Sequence, residues 1–311
     1  MITKYRTKIA SALVSLLLAI GLVQAHSAMA QAPQQKAKPK MAQRGGFGID
    51  SRAETRTYKF KEADKDMEYC LFVSSKVSKD KKAPLIVTLH GMGAGPSIMV
   101  NKDAVDLAEK GGYILVSPMG YNEVGWYGVS MGAKPKSGKT PPRKTDSNQK
   151  APPNAKPKSR GMGGMFSSAD SPENLNELSE KDVMNVLDIV CKEFNVDENR
   201  IYLMGHSMGG AGTLHLGVKY ASKWAAIAAV APAAFGLDPN ILAGIKDMPV
   251  IFVHGADDEV VAVSNTHKWI DKLKELKMTY EYKELPGISH GPVITASLPY
   301  VYEFFGKHSK K

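Results

Sequence analysis

The sequence predicts an α/β fold, with a mostly parallel central sheet flanked by helices and one long low-complexity insertion. Three observations carry this. Continuous apolar runs at 84–89, 113–116, 201–204, 224–230 and 249–254 have the length and composition of strands buried on both faces. Stretches of helical period lie between them, such as Val183, Val186, Leu187, Val190 and Phe194. One strand, Ile201 to Met204, runs straight into Gly205-His206-Ser207-Met208-Gly209 and then into a helical segment.

The chain of 311 residues begins with a segment outside that fold. Lys4, Arg6 and Lys8 form a basic start, Ile9 to Val23 a short apolar run, and Ala28-Met29-Ala30 a small-residue cleavage site. Residues 1–30 therefore read as a signal peptide cleaved after Ala30. The run is short for a membrane span, and no cysteine follows the cut to carry a lipid. A secreted or periplasmic protein with no integral anchor after cleavage is expected. Residues 31–50, rich in Gln, Pro, Lys and Gly, are expected to be disordered, and the domain to cover 51–308.

The formal charge of +10 is unevenly spread. Residues 1–30 carry +3, residues 31–47 carry +4 and residues 133–160 carry +8, which leaves −5 for the rest. A nucleic-acid groove needs its positive charge on a folded face, so no nucleic-acid partner is expected. The only cysteines are Cys70 and Cys191. An exported compartment permits a bridge, but nothing in the sequence fixes their separation, and isolated cysteines are more often buried thiols.

Thr55 to Phe60 and Met67 to Ser74 read as an antiparallel hairpin around the polar turn Glu62 to Asp66. Pro84 to Leu89 is a central strand ending in His90-Gly91-Met92-Gly93-Ala94-Gly95-Pro96. As a phosphate loop this glycine run fails, because no Gly-Lys-Ser/Thr follows and Pro96 interrupts a helix entry. Asp103 to Lys110 is a helix stopped by Gly111-Gly112, and Tyr113 to Val116 is the next strand. Trp126 and Tyr127 follow at a strand's carboxyl end, where open α/β sheets bind ligands. They are candidate substrate-binding walls, with packing against the body as the equal alternative.

The insertion, about 129–176, is mostly Lys, Pro, Ser, Gly and Asn up to Arg160, too polar to fold alone. Ser179 with Asp182 has the spacing of a helix-starting capping box. Val196 to Arg200 reads as a turn into the Ile201 strand, and Ala211 to Tyr220 as the helix behind Ser207. Trp224 to Val230, Pro249 to His254 and Thr279 to Leu285 are strands, and Thr266 to Leu276 and Ser297 to Phe305 are helices.

Gly205 to Gly209 fits Gly-x-Ser-x-Gly, a strained strand-to-helix turn that lifts the Ser207 hydroxyl above the sheet. Such a serine needs a base after an acid in chain order. Asp257, Asp258 and Glu259 compete for the acid position after the 249–254 strand. Of the histidines beyond them, His267 falls inside a helix and His308 in a Lys-rich tail, so His290 in its Gly-bordered loop is the candidate base. The expected oxyanion donors are the backbone N–H groups of Met92 and Met208. No histidine pair has metal-ligand spacing, and neither metal nor cofactor is expected.

With these residues assembled, the chain resembles the α/β-hydrolases. It is most similar to the exported esterases of the polyhydroxybutyrate depolymerase and feruloyl esterase group, described as prolyl-oligopeptidase-like or dienelactone-hydrolase-like. The matching stretches are Leu89-His90-Gly91, Val196 to Tyr202, Gly205 to Gly210, His254-Gly255-Ala256-Asp257-Asp258 and Gly287-Ile288-Ser289-His290. The resemblance implies that Asp258 is the acid and that a small-molecule or polymeric carboxylic ester is the substrate. A prolyl-oligopeptidase-type peptidase, an acyltransferase and a non-catalytic surface scaffold remain alternatives. The insertion at 129–176 departs from the group's pattern.

Overall fold

The computed structural model describes residues 48–130 and 171–310. The expected signal peptide and most of the insertion lie outside these residues. Among the described residues, eight strands form one sheet in the order β1-β2-β4-β3-β5-β6-β7-β8. β1 (Glu54–Phe60) and β2 (Lys65–Val73) make the antiparallel hairpin, and β2 also runs antiparallel to β4 (Ile114–Pro118). The remaining pairs are parallel, through β3 (Ala83–Leu89), β5 (Val196–His206), β6 (Ala226–Val230), β7 (Val250–Gly255) and β8 (Tyr280–Leu285).

The pleat divides the core into two layers, since alternate strand residues face opposite sides. Leu85, Val87, Leu89 and Leu203 point to one face, which is covered by α2 (Leu175–Glu193), α3 (Met208–Lys219) and α4 (Ser264–Glu275). Ile86, Tyr202 and Met204 point to the other, under α1 (Lys102–Gly111) and α5 (Val293–Gly306). Cys70 is buried and Cys191 half-buried, and both are free thiols.

Four expectations need correction. α2 starts at Leu175, so Ser179 and Asp182 are buried interior positions and not a cap. Val196 to Arg200 belongs to β5, where the register with β3 shifts between Ala83 and Leu85. The turn character survives locally, because the Asp197 carboxylate accepts from Asn199 N–H at 3.1 Å and Arg200 Nε at 2.7 Å. The outer bounds expected for the insertion, about 129–176, are too wide at both edges. Val129 is fully buried, and Asn176 Nδ2 donates to its carbonyl at 2.9 Å, so both ends belong to the fold. At the other terminus Asp50 is already tied to the body, through its N–H on the Val100 carbonyl and a salt bridge to Arg52.

Candidate active site

The site is built where β5 meets α3. Ser207 joins them with φ 57° and ψ −116°, a left-handed conformation that costs free energy for a residue with a Cβ. Besides the helical bond from Ala211 N–H to Ser207 O at 3.1 Å, two backbone bonds from the neighbouring strand exit hold it there. Ser207 N–H donates to Val230 O at 3.0 Å, and Ala233 N–H donates to Ser207 O at 2.9 Å. The flanking glycines are demanded by contact. A Cβ on Gly205 would sit 2.2 Å from Gly209 O, and one on Gly209 would sit 2.2 Å from Leu89 O.

The loop after β3 comes over the same spot. A Cβ on Gly91 would be 3.2 Å from His206 Nδ1 and 3.4 Å from Ser207 Cβ, so the loop backbone passes directly beside Ser207. Met92 follows on this loop, and Met208 is the first residue of α3. Their N–H groups are therefore carried by the two segments that flank Ser207.

His290 lies in the loop after β8, with its side chain 13% exposed. Its Nε2 is 3.0 Å from Ser207 Oγ and its Nδ1 is 2.6 Å from Asp258 Oδ2. A carboxylate only accepts, so Nδ1 carries the proton and Nε2 is the acceptor for the serine hydroxyl. The two loops interlock at Gly255, where a Cβ would sit 2.2 Å from Ile288 O.

Among the three competing acids, Asp257 and Glu259 are exposed, and Asp258 alone reaches His290. Its Oδ1 accepts from Val260 N–H at 2.9 Å and Val261 N–H at 2.8 Å. Burial raises its pKa, but the bonds from His290, Val261 and Val260 outweigh that and hold the carboxyl below its ordinary value.

Two histidines that the sequence offered only as parts of motifs complete the frame. His254 Nε2 lies 3.1 Å from Asp258 Oδ2 and 2.9 Å from Val261 O, so it donates, while Thr266 Oγ1 lies 2.7 Å from Nδ1. Its position four residues before the acid was the available signal. His206 Nε2 donates to the His290 carbonyl at 2.9 Å. Burial, and then the neighbouring His290, depress its pKa to about 3.

Trp126 and Tyr127 do not line an open cleft. They are 4% and 0% exposed. Tyr127 packs against Gly212 of α3 and donates its hydroxyl to His90 O at 3.2 Å. Large aromatic surface finds a better partner in α3 than in water, so packing wins over cleft lining. The exposed apolar side chains at this edge are instead Phe235, after β6, and Val260, beside the acid.

The topology is that of the α/β-hydrolase fold: a doubly covered, mostly parallel sheet with its serine turn at the end of a central strand. Residues 166–309 match the family described as phospholipase/carboxylesterase. An 82-residue stretch is 39% identical to the bifunctional acetylxylan esterase/xylanase XynS20E of Neocallimastix patriciarum, covering 25% of this chain and 11% of that protein. The chain thus spans about a tenth of that curated relative's length. The crystal structure of a thermostable esterase superposes with a TM-score of 0.56 at 25% identity, covering 84% of this chain and 64% of the other. A CE1 ferulic acid esterase from Anaeromyces mucronatus, solved with ferulic acid, gives a TM-score of 0.57 at 18% identity over 86% of this chain and 93% of that one. Among the described residues, no helix is long and apolar enough to cross a membrane.

Proposed function

We propose that this protein is an exported serine hydrolase of carboxylic esters. The observation that carries the reading is the continuous hydrogen-bonded path Ser207 Oγ–His290 Nε2 at 3.0 Å and His290 Nδ1–Asp258 Oδ2 at 2.6 Å. His290 removes the Ser207 proton as the oxygen attacks the ester carbonyl. Asp258 fixes the tautomer and stabilises the imidazolium that results. The N–H groups of Met92 and Met208 hold the oxyanion, and each such donor is typically worth roughly 10²–10³ in turnover. His290 then returns the proton to the leaving alcohol. Water, deprotonated by the same nitrogen, releases the acid and frees Ser207.

Similarity to proteins described as acetylxylan and ferulic acid esterases makes acetyl and aromatic acyl esters the first substrates to offer. The test is hydrolysis of a p-nitrophenyl ester series from acetate to long acyl chains, beside a matched anilide, with Ser207→Ala as control. Ester cleavage is expected to exceed anilide cleavage and to vanish in the variant. Preferential anilide cleavage would support a peptidase, and a folded protein that neither turns over nor labels with a serine-reactive phosphonate would support a scaffold.

A further inference from the structure

The loop that would hold the oxyanion is itself held from outside by the segment after β4. His90 Nε2 lies 2.8 Å from Met119 O, and Gly93 N–H donates to Glu123 O at 2.9 Å. Those two contacts bracket Met92. The supporting segment is a strained one, because Gly120, Tyr121, Trp126, Tyr127 and Gly128 all have positive φ. Four of the five are left-handed at 51° to 68°, three of them with side chains that disfavour it. A backbone in that state persists only where its surroundings over-determine it.

The surroundings supply one buried carboxylate. Asp182, on the inner face of α2, is fully buried. Its Oδ2 accepts from Gly120 N–H at 2.6 Å and Tyr121 N–H at 3.3 Å, and its Oδ1 accepts from Tyr58 O–H at 2.5 Å. With both residues at φ 68°, two consecutive N–H groups converge on this one oxygen. Lys65 closes the far side, with Nζ 3.5 Å from the Tyr121 ring centroid and 3.2 Å from Tyr121 O. No catalytic step uses any of these groups.

We propose that Asp182 is a positioning residue for the oxyanion loop, acting by fixing Gly120 and Tyr121 so that Met119 and Glu123 hold His90 and Gly93 in place. This rests on the esterase reading for its consequence in turnover. The anchoring itself can be read without any substrate. If the anchor loosens, the Met92 N–H loses its aim at the tetrahedral oxygen, while the ground-state ester still binds. The loss therefore falls on kcat and not on KM.

The experiment compares wild type, Asp182→Ala and Asp182→Asn. Hydrogen exchange by mass spectrometry is followed at residues 90–95 and 118–128. Ester kinetics and inhibition by phenylboronic acid are measured in parallel. Ser207 Oγ adds to that boron as its proton passes to His290, giving a tetrahedral boronate that mimics the intermediate. In Asp182→Ala, exchange is expected to rise selectively in the two segments, kcat to fall at least tenfold with KM within twofold, and boronate affinity to fall in step with kcat. Asp182→Asn, whose amide oxygen still accepts from the two N–H groups, is expected to recover most of the loss. Should Asp182→Ala not fold, Tyr58→Phe, which removes the hydroxyl that orients the carboxylate, is expected to show the same selective rise in exchange to a smaller extent. Unchanged exchange at 118–128 in that variant would overturn the proposal. Wild-type exchange at 90–95 in a folded Asp182→Ala, or acceleration spread evenly over the chain, would overturn the proposal. A wild type inert towards every ester would overturn the esterase reading and leave the exchange result to decide the anchor.

Discussion

His206 and His290 lie ring beside ring, with centroids 4.6 Å apart, and the buried one holds the backbone of the other. His206 must stay neutral to sit there, and its pKa of about 3 lies far below that of an exposed imidazole. On unfolding at a pH between about 3 and 6.5 it takes up a proton, so the native state is fully favoured above about 6.5 and loses that advantage as the pH falls towards 3. His206→Asn removes this linkage. Its unfolding free energy, measured in urea at several pH values, should fall less steeply with acid, by at most about 1.4 kcal/mol per pH unit. A slope equal to that of wild type would remove His206 from the acid response.

Ser207 combines strain with chemistry, and the two can be separated. Its φ of 57° and ψ of −116° suit glycine better than serine. Ser207→Ala keeps the strain and should lower turnover by roughly 10⁴-fold or more with little change in melting temperature. Ser207→Gly should be equally inactive yet more stable, by about 1 kcal/mol or roughly 2–4 °C in a domain of this size. A melting temperature no higher than that of Ser207→Ala would mean that the turn stores no strain.

How far the sequence could lead depends on the range of the interaction. The strand positions, the serine turn and the loop position of His290 follow from local pattern, because buried strands, glycine spacing and loop residues are all written within a few residues. Ser179 and Asp182 mark where that stops. Their spacing mimics a capping box, but Ser179 Oγ accepts from Tyr127 N–H at 3.0 Å and Asp182 from Gly120, donors more than fifty residues away. A polar side chain serving a distant backbone has the same local signature as one serving its own helix end. Trp126 and Tyr127 failed for a related reason. Position at a strand's carboxyl end was legible, whereas the side chains' rotation into α3 depends on positive φ angles that no pattern announced.

Gly209 is where the serine turn and β3 come closest. A Cβ there would meet Leu89 O at 2.2 Å, Leu89 C at 2.6 Å and His90 O at 2.7 Å. All three are main-chain atoms of a central strand and its exit, so no side chain can swing aside. Gly209→Ala should destabilise the protein by about 3 kcal/mol or more, at the upper end of single-site effects. Gly244→Ala, whose Cβ meets only Val218 Cγ1 at 3.4 Å, should be close to neutral. Comparing their denaturation midpoints checks the steric argument, and similar midpoints would refute it.

Phe235 and Val260 are 48% and 49% exposed, unusual for large apolar side chains. Both stand at strand ends around Ser207. Phe235 lies two residues beyond Ala233, whose N–H is bonded to Ser207 O, and Val260 donates its own N–H to Asp258. Neither has a part in the proton path, so the proposed chemistry leaves them free to contact the acyl or alcohol portion of an ester. Partial burial of a phenyl ring against a substrate is worth about 1–2 kcal/mol. Phe235→Ala should therefore raise KM roughly 5- to 30-fold for aromatic or long-chain esters, at little cost in kcat. For an acetate ester, too short to reach the ring, KM should hardly move. An equal rise for acetate and long-chain esters would mean that Phe235 supports the loop and not the substrate, and Val260 would then be the apolar contact to test.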